Sequence, residues 1–198
     1  MRNNTHTNRW HNEIMYKKDW IDRSEMLLSM FQEKEYKPDQ TYTFSEFGCG
    51  PYAPFSQLCS TGNSYTVKKY DVVKWDNETH LLDLNYESTE FPSARVSVFS
   101  GVLEYTNDVE NTLKQAMKVS EYMLVSYYFL PLYCLNNDNQ FLEQINVRIN
   151  SGVRNHHTQA EIISLVQKIG VISGMNLWVR NHTNHLLLLI RNFNVDNK

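Results

Sequence analysis

Residues 43–54 read TFSEFGCGPYAP. A short apolar run carries one carboxylate, Glu46, and ends in two glycines one residue apart, Gly48 and Gly50, before Pro51 and Pro54. Such a run, closed by glycine and proline, reads as a strand with a tight exit turn. Glycine is needed where the backbone turns through positive φ, or where a neighbour comes so close that a Cβ has no room. In an open α/β sheet the exit loop of the first strand is also where ligands sit, beyond the carboxyl ends of the strands. The plain alternative is a tight strand-to-helix turn with no ligand.

Beyond Pro38 short β-rich runs alternate with helical stretches. Strands are expected over 41–47, 65–71, 80–84, 95–100, 122–128, 172–179 and 185–192, and helices near 54–59, 108–119 and 159–169. The last helix has a capping box, Thr158-Gln-Ala-Glu161, and Gly170 at its end. Alternation of this kind predicts an open α/β sheet. Only RNHTN, residues 180–184, separates the last two strands. That is too short for a helical crossover, so they form an antiparallel hairpin. Before Pro38, Ile14, Trp20, Leu27, Leu28 and Phe31 recur at loosely helical spacing. Residues 1–38 are expected as an N-terminal helical segment or lid, with Arg9, Trp10, Tyr16 and Trp20 placed to cover a site or pack at the sheet edge. The ligand-binding domain is expected over 39–198.

The 198 residues suit one domain with a single sizeable core. Hydrophobic residues make up 41% and charged residues 21%, the balance of a globular chain. A net charge of −3 and a pI of about 6.2 give no broad basic field, which counts against nucleic acid as the main partner. Lys68 and Lys69 read as solvated surface. The three cysteines, Cys49, Cys59 and Cys134, have no metal-ligand spacing and cannot close a disulfide framework, so a reduced, cytoplasmic compartment is expected. The N-terminus has no apolar core of a secretory signal, and the most apolar run, Leu186 to Ile190, is too short to span a bilayer. His6, His11, His80, His182 and His185 have no ligand-like spacing, and no metal site is expected.

Three further features bear on the glycine turn. Asp71 closes the second strand, Asp83 lies in HLLDLN at the end of the third, and the fourth runs into FSGVLEYTNDV. In that order the set resembles the class I S-adenosylmethionine-dependent methyltransferases, from about Thr41 to the C-terminus. EFGCGP resembles their glycine-rich first motif. SGVLEYTND resembles the segment after their fourth strand, often written with a Val-Leu-Glu-His core, with Tyr105 at the histidine position. Pro51-Tyr52 replaces the usual third-glycine region, and Ser97 stands where an acidic residue is frequent. The resemblance implies a Rossmann-like seven-stranded, mostly parallel sheet with a C-terminal antiparallel hairpin and helices on both faces. It implies S-adenosylmethionine as cofactor. Gly48, Cys49 and Gly50 would face its methionine part with Glu46 nearby, and Tyr52 would cover that end. Asp71 would bind the ribose hydroxyls and Asp83 and Leu84 the adenine, while Ser100 and Gly101 would floor the pocket.

The implied reaction is in-line displacement of a methyl group from a sulfonium centre, in which the protein supplies position and electrostatics. A base is needed only where the acceptor loses a proton as it attacks. His156 and His157, on the loop before the capped helix, are the local candidates. His156, with Tyr128, is the catalytic pair expected, and Tyr105, Tyr127, Arg154 and His157 are expected at the acceptor. Each has a plain alternative in loop, cap or core packing. The acceptor is expected to be a small molecule or glycan precursor, and the chain a monomer or homodimer. The rival readings are a non-catalytic cofactor-binding module or partner subunit, a nicotinamide-dependent oxidoreductase and an RNA methyltransferase. The missing third glycine and the final hairpin oppose the oxidoreductase.

Overall fold

Strand β1 (Tyr42–Phe47) is buried on both faces except at Thr43, as a strand inside a parallel sheet must be. The computed structural model describes residues 17–60, 65–86, 89–131, 135–180 and 183–194. His6, Arg9, Trp10, His11, Tyr16, Cys134 and His182 lie outside them. After α1 (Lys17–Lys34) and β1 come α2 (Pro54–Cys59), β2 (Tyr65–Asp71), β3 (Thr79–Leu81) and β4 (Val96–Ser100). A 3-10 turn (Leu103–Tyr105) leads to α3 (Val109–Lys118), β5 (Tyr122–Tyr128), α4 (Asp138–Asn150), α5 (Gln159–Gln167), β6 (Val171–Arg180) and β7 (Thr183–Arg191).

The seven strands lie in the order β3-β2-β1-β4-β5-β7-β6. The first five run parallel, while β7 is antiparallel to both β5 and β6. The order reverses at β1 and β4, so the switch point lies between their carboxyl ends. This is the expected α/β sheet, with its hairpin inserted between β5 and the edge.

Each face has its own core. On one, α3 buries Val109, Thr112, Leu113, Ala116 and Met117, the i, i+3, i+4, i+7, i+8 stripe of a surface helix, beside Ile162, Leu165 and Val166 of α5. Thr158 and Glu161 form the expected capping box at the start of α5. On the other face α1 buries Leu27, Leu28, Met30 and Phe31 against Phe44, Val98, Leu124, Leu187 and Leu189. Phe31 meets Tyr42, Phe44 and Tyr122 edge-on, at centroid distances of 5.0, 5.5 and 5.7 Å. Full burial of one such ring stabilises by about 1.5–3 kcal/mol.

Two elements differ from expectation. Strand β3 stops at Leu81 instead of reaching Leu84, because Leu82 N donates to Asp71 O and the Asp83 carboxylate draws Asn85 N into a turn. Helix α4 was not expected at all. Its start reads as a loop, DNQF after Asn136-Asn137, yet the Asn137 side chain caps it by accepting from Gln140 N. Its apolar residues Leu142, Val147 and Ile149 are exposed, and the residue it buries is Arg148.

Candidate active site

The glycine turn is held by backbone geometry. Gly48 takes φ +63°, and both Gly48 N and Cys49 N donate to Tyr70 O. A Cβ on Gly48 would lie 2.2 Å from Val102 Cγ2, at the exit of β4. The close neighbour at Gly48 is therefore Val102, and at Gly50 it is the Trp20 ring of α1, 3.3 Å from the Cβ position. Trp20 also meets Tyr52, with ring centroids 6.0 Å apart. Gly50 N donates to Asp71 Oδ2 at 2.9 Å, and Val73 N donates to Asp71 Oδ1 at 3.0 Å. One carboxylate thus ties the turn after β1 to the end of β2. Each of its oxygens keeps a lone pair for a further donor.

Glu46 has a different part from the one expected. It is fully buried, and its two oxygens accept from Phe55 N and Ser56 N at 3.1 and 2.9 Å. It caps α2, whose own N-cap is Ala53, with φ 38° and no capping side chain. Burial pushes its pKa up to about 7 against those two N–H bonds. Cys49 is likewise buried, and burial pushes its thiol up.

On the far side of the turn, Asp83 Oδ1 accepts from Asn85 N and Asp83 O from Thr89 Oγ1. Asn85 then reaches across: its Nδ2 donates to Tyr105 O, and its Oδ1 accepts from Asn107 N. This joins the Asp83–Leu84 loop to the turn after β4, with Leu84 and Val102 packed on one core. Asn85 had no sequence signal, since its partners lie some twenty residues away.

Beyond β4 the site is made of buried charge. Ser100 Oγ lies 3.1 Å from Ser24 Oγ, and a Cβ on Gly101, at φ +73°, would lie 2.7 Å from Arg23 Nη2. Arg23 Nη1 donates to His185 Nε2 at 3.0 Å. Arginine only donates, so the neutral ring carries its proton on Nδ1, facing Ser126 Oγ at 3.3 Å and Glu104 Oε1 at 3.9 Å. Burial, then Arg23 and Arg148, holds the His185 pKa well below the usual histidine range. Glu104 Oε1 accepts from Tyr128 N, and Arg148 Nη2 donates to Tyr128 O at 2.7 Å. The Tyr128 ring stacks on His185, and the Arg148 guanidinium carbon lies 4.3 Å from its centre. Burial raises the Glu104 pKa, opposed by the Tyr128 N–H and the two arginines. Arg23 Nε, Glu104 Oε2 and Arg148 Nη1 are buried with no hydrogen-bond partner among the described residues.

The remaining expected residues divide. Tyr127, expected at the acceptor, is instead fully buried, with its hydroxyl donating to Asn155 Oδ1 and accepting from His157 N. Asn155 Nδ2 donates to Leu103 O and Thr106 O, so the loop before α5 is folded onto the turn after β4. His157 uses its backbone, accepting from Leu130 N. His156 is half-buried, and its Nδ1 accepts from Arg148 Nε at 3.2 Å. Burial, Arg148 and His157 lower its pKa, which leaves a neutral ring with its proton on Nε2. Arg154 is exposed and donates to Asn107 Oδ1. The structure therefore brings Tyr105, Tyr128, Arg154, His156 and His157 to one edge, and adds Arg23, Glu104, Arg148 and His185. His185 shows no ligand-like spacing because its partners are on α1, β5 and the turn after β4. Two surface grooves lie elsewhere, one between α1 and β6, the other at the opposite end of β1 and β4. Among the described residues, no group of three His, Cys, Asp or Glu side chains is placed to hold a metal. No described helix is long and apolar enough to cross a membrane.

No family model matches the chain, and no curated protein matches it in sequence. Solved structures do match its fold. The 1,6-didemethyltoxoflavin-N1-methyltransferase of Burkholderia thailandensis, with its acceptor and S-adenosylhomocysteine bound, superposes with a TM-score of 0.62 at 11% identity, covering 96% of this chain and 84% of that one. The magnesium protoporphyrin IX methyltransferase of Synechocystis PCC 6803, with S-adenosylhomocysteine, gives 0.59 at 12%, covering 94% and 93%. The CurJ carbon methyltransferase gives 0.61 at 11%, covering 87% and 54%. The fold is that of the class I S-adenosylmethionine-dependent methyltransferases.

Proposed function

We propose that the chain is an S-adenosylmethionine-dependent methyltransferase acting on a small molecule. The observation that carries this reading is the tie between Gly50 N and Asp71, made across the carboxyl ends of β1 and β2, beside the switch point of a sheet with this strand order. When bound, the cofactor supplies an electrophilic methyl group on a sulfonium sulfur. The residues present fit it. The glycine turn, its own amides held by Tyr70 O and Asp71, lies where the amino-acid end is expected, Asp71 has spare acceptor capacity for ribose hydroxyls, and Asp83 and Leu84 lie where adenine is expected. Ser100 and Gly101 form the floor, and Trp20 and Tyr52 exclude water above it. The fold neighbours named for 1,6-didemethyltoxoflavin and magnesium protoporphyrin IX support a small-molecule acceptor.

His156 is poorly set to take a proton. Its lone pair at Nδ1 is held by Arg148, and Nε2 is protonated. Transfer to an unprotonated amine or a carbanion needs no base at this position. Tyr128 is half-buried with its ring between His185 and Arg148, so the ring edge is what it offers an acceptor. The test is calorimetric titration with S-adenosylhomocysteine beside NADH. Micromolar binding of the first alone is expected. Binding of NADH alone would assign an oxidoreductase instead, and binding of neither would remove the cofactor assignment.

A further inference from the structure

Strand β6 ends the strand order, and among the described residues no strand pairs with its outer edge. Asn192 N donates to Glu121 O and Phe129 N to Asn184 O, so the even-numbered residues of β7 turn their backbone groups to β5. The odd-numbered ones therefore bond their partners in β6, which are Gly174, Asn176 and Trp178. This leaves the backbone N–H and C=O of Met175, Leu177 and Val179 facing outward. Leu177 N takes the side-chain oxygen of its neighbour, Asn176 Oδ1, at 2.8 Å. Sheets commonly blunt such an edge by brevity, charge or proline. The other edge strand, β3, is three residues long, whereas residues 174–179 of β6, GMNLWV, carry no charge and no proline. The bulge at Ile172/Gly174 sits before this stretch and leaves it regular.

Two different surfaces flank the open edge. On one face Met175, Leu177 and Val179 are 56, 47 and 68% exposed. On the other, a groove of about 410 Å³ lies between β6 and α1. Gly174 and Asn176 form its floor, and a Cβ on Gly174 would lie 2.6 Å from Met30 Sδ. Its wall is α1, with Glu25, Ser29 and Glu33 exposed at four-residue spacing and Lys34 beside the last. Two carboxylates against one ammonium leave the groove acidic. Glu25 and Glu33 are about 12 Å apart along the helix, close to the roughly 13 Å between strand residues four apart.

We propose that β6 is a docking edge for an extended segment of another protein, which adds a strand and alternates basic with apolar residues. Residues of that strand opposite Gly174 and Asn176 point into the acidic groove. Those opposite Met175, Leu177 and Val179 point to the apolar face. Main-chain bonds supply the affinity and the alternation supplies the choice of partner. A second copy fits less well. Its own β6 would bring glycine and asparagine to Glu25 and Glu33. The three apolar side chains offer roughly 100–200 Å² of surface, against about 800 Å² from each partner of a stable dimer. The inference does not rest on the methyltransferase reading.

The test is an NMR titration of the ¹⁵N-labelled full chain with the peptide acetyl-TVKVKVT-amide and its acidic counterpart acetyl-TVEVEVT-amide. The basic peptide is expected to shift the amides of Met175, Leu177 and Val179, and to bind at least about tenfold more tightly than the acidic one. Leu177→Pro removes one outward N–H without touching the β7 ladder and should weaken the basic peptide at least about tenfold. Glu25→Lys should weaken it about fivefold. Equal affinity for the two peptides overturns the basic partner. Shifts confined to other residues, or none at millimolar peptide, overturn the docking edge. A concentration-dependent dimer in analytical ultracentrifugation that Leu177→Pro abolishes assigns the edge to a second copy instead. If circular dichroism shows Leu177→Pro unfolded, Glu25→Lys decides, and wild-type affinity in that variant overturns the proposal.

Discussion

The two halves of the crevice are held together in opposite ways. On the side of β1 to β3, carboxylates pair with backbone amides: Glu46 with Phe55 N and Ser56 N, Asp71 with Gly50 N and Val73 N, Asp83 with Asn85 N. On the side of β4 to β7, side chains pair largely with one another, Arg23 with His185 and Arg148 with His156, around a buried Glu104. Backbone amides are present whatever the neighbouring sequence, so the first half tolerates change nearby. The second half is a network in which each charge depends on another.

Substitutions can break this contrast, and the largest effect is expected in the network. Glu104→Ala leaves two buried cations without their anion and should cost about 3–5 kcal/mol in urea denaturation. A loss under about 1 kcal/mol would show that the arginines relax into solvent. Next comes the pH dependence of Glu46, the most buried carboxylate of the amide-held half. Its folded pKa, about 7, lies above its ordinary value of 4.5, so its contribution is complete below about pH 4.5 and is lost as pH rises through 7. The wild type should lose about 3 kcal/mol across that window, at about 1.4 kcal/mol per pH unit, and Glu46→Gln should lack this slope. Gly48→Ala should cost about 2 kcal/mol through its positive φ and its overlap with Val102. Adding Val102→Ala should relieve the overlap but not the φ. The smallest effect is expected for Asp71→Ala, which should weaken S-adenosylhomocysteine about tenfold by calorimetry, ~1.4 kcal/mol. Unchanged affinity in a folded variant would remove Asp71 from the cofactor site.

The same contrast decides what is legible in the sequence. The stretch 43–54 can be read because its constraints are local: strand, glycine turn and proline-started helix follow within twelve residues. The bounds of β2, α2 and β5, the capping box of α5 and the final hairpin are legible for the same reason. Helix α4 is not, because it carries no buried apolar stripe, only Arg148. Arg23 and His185 are 162 positions apart, and nothing local to either marks it as half of a pair. Glu46 misleads for a related reason. A carboxylate before a glycine turn looks ready for a ligand, but the α2 amides it caps are supplied by the fold.

Strand β7 runs against the others, which places a strand's beginning among strand ends. In a parallel strand only the last residues reach the ligand edge. By turning back, the chain delivers His185, near the start of β7, directly opposite Tyr128, the last residue of β5. Slipping that ladder by one position would turn His185 to the other face and leave Leu186 or Asn184 in its place. The histidine is thus placed by counting residues along a ladder of hydrogen bonds, a quantity that changes only in whole steps. Gradual loosening of side-chain packing, which would blur a site held by contacts alone, leaves that count intact.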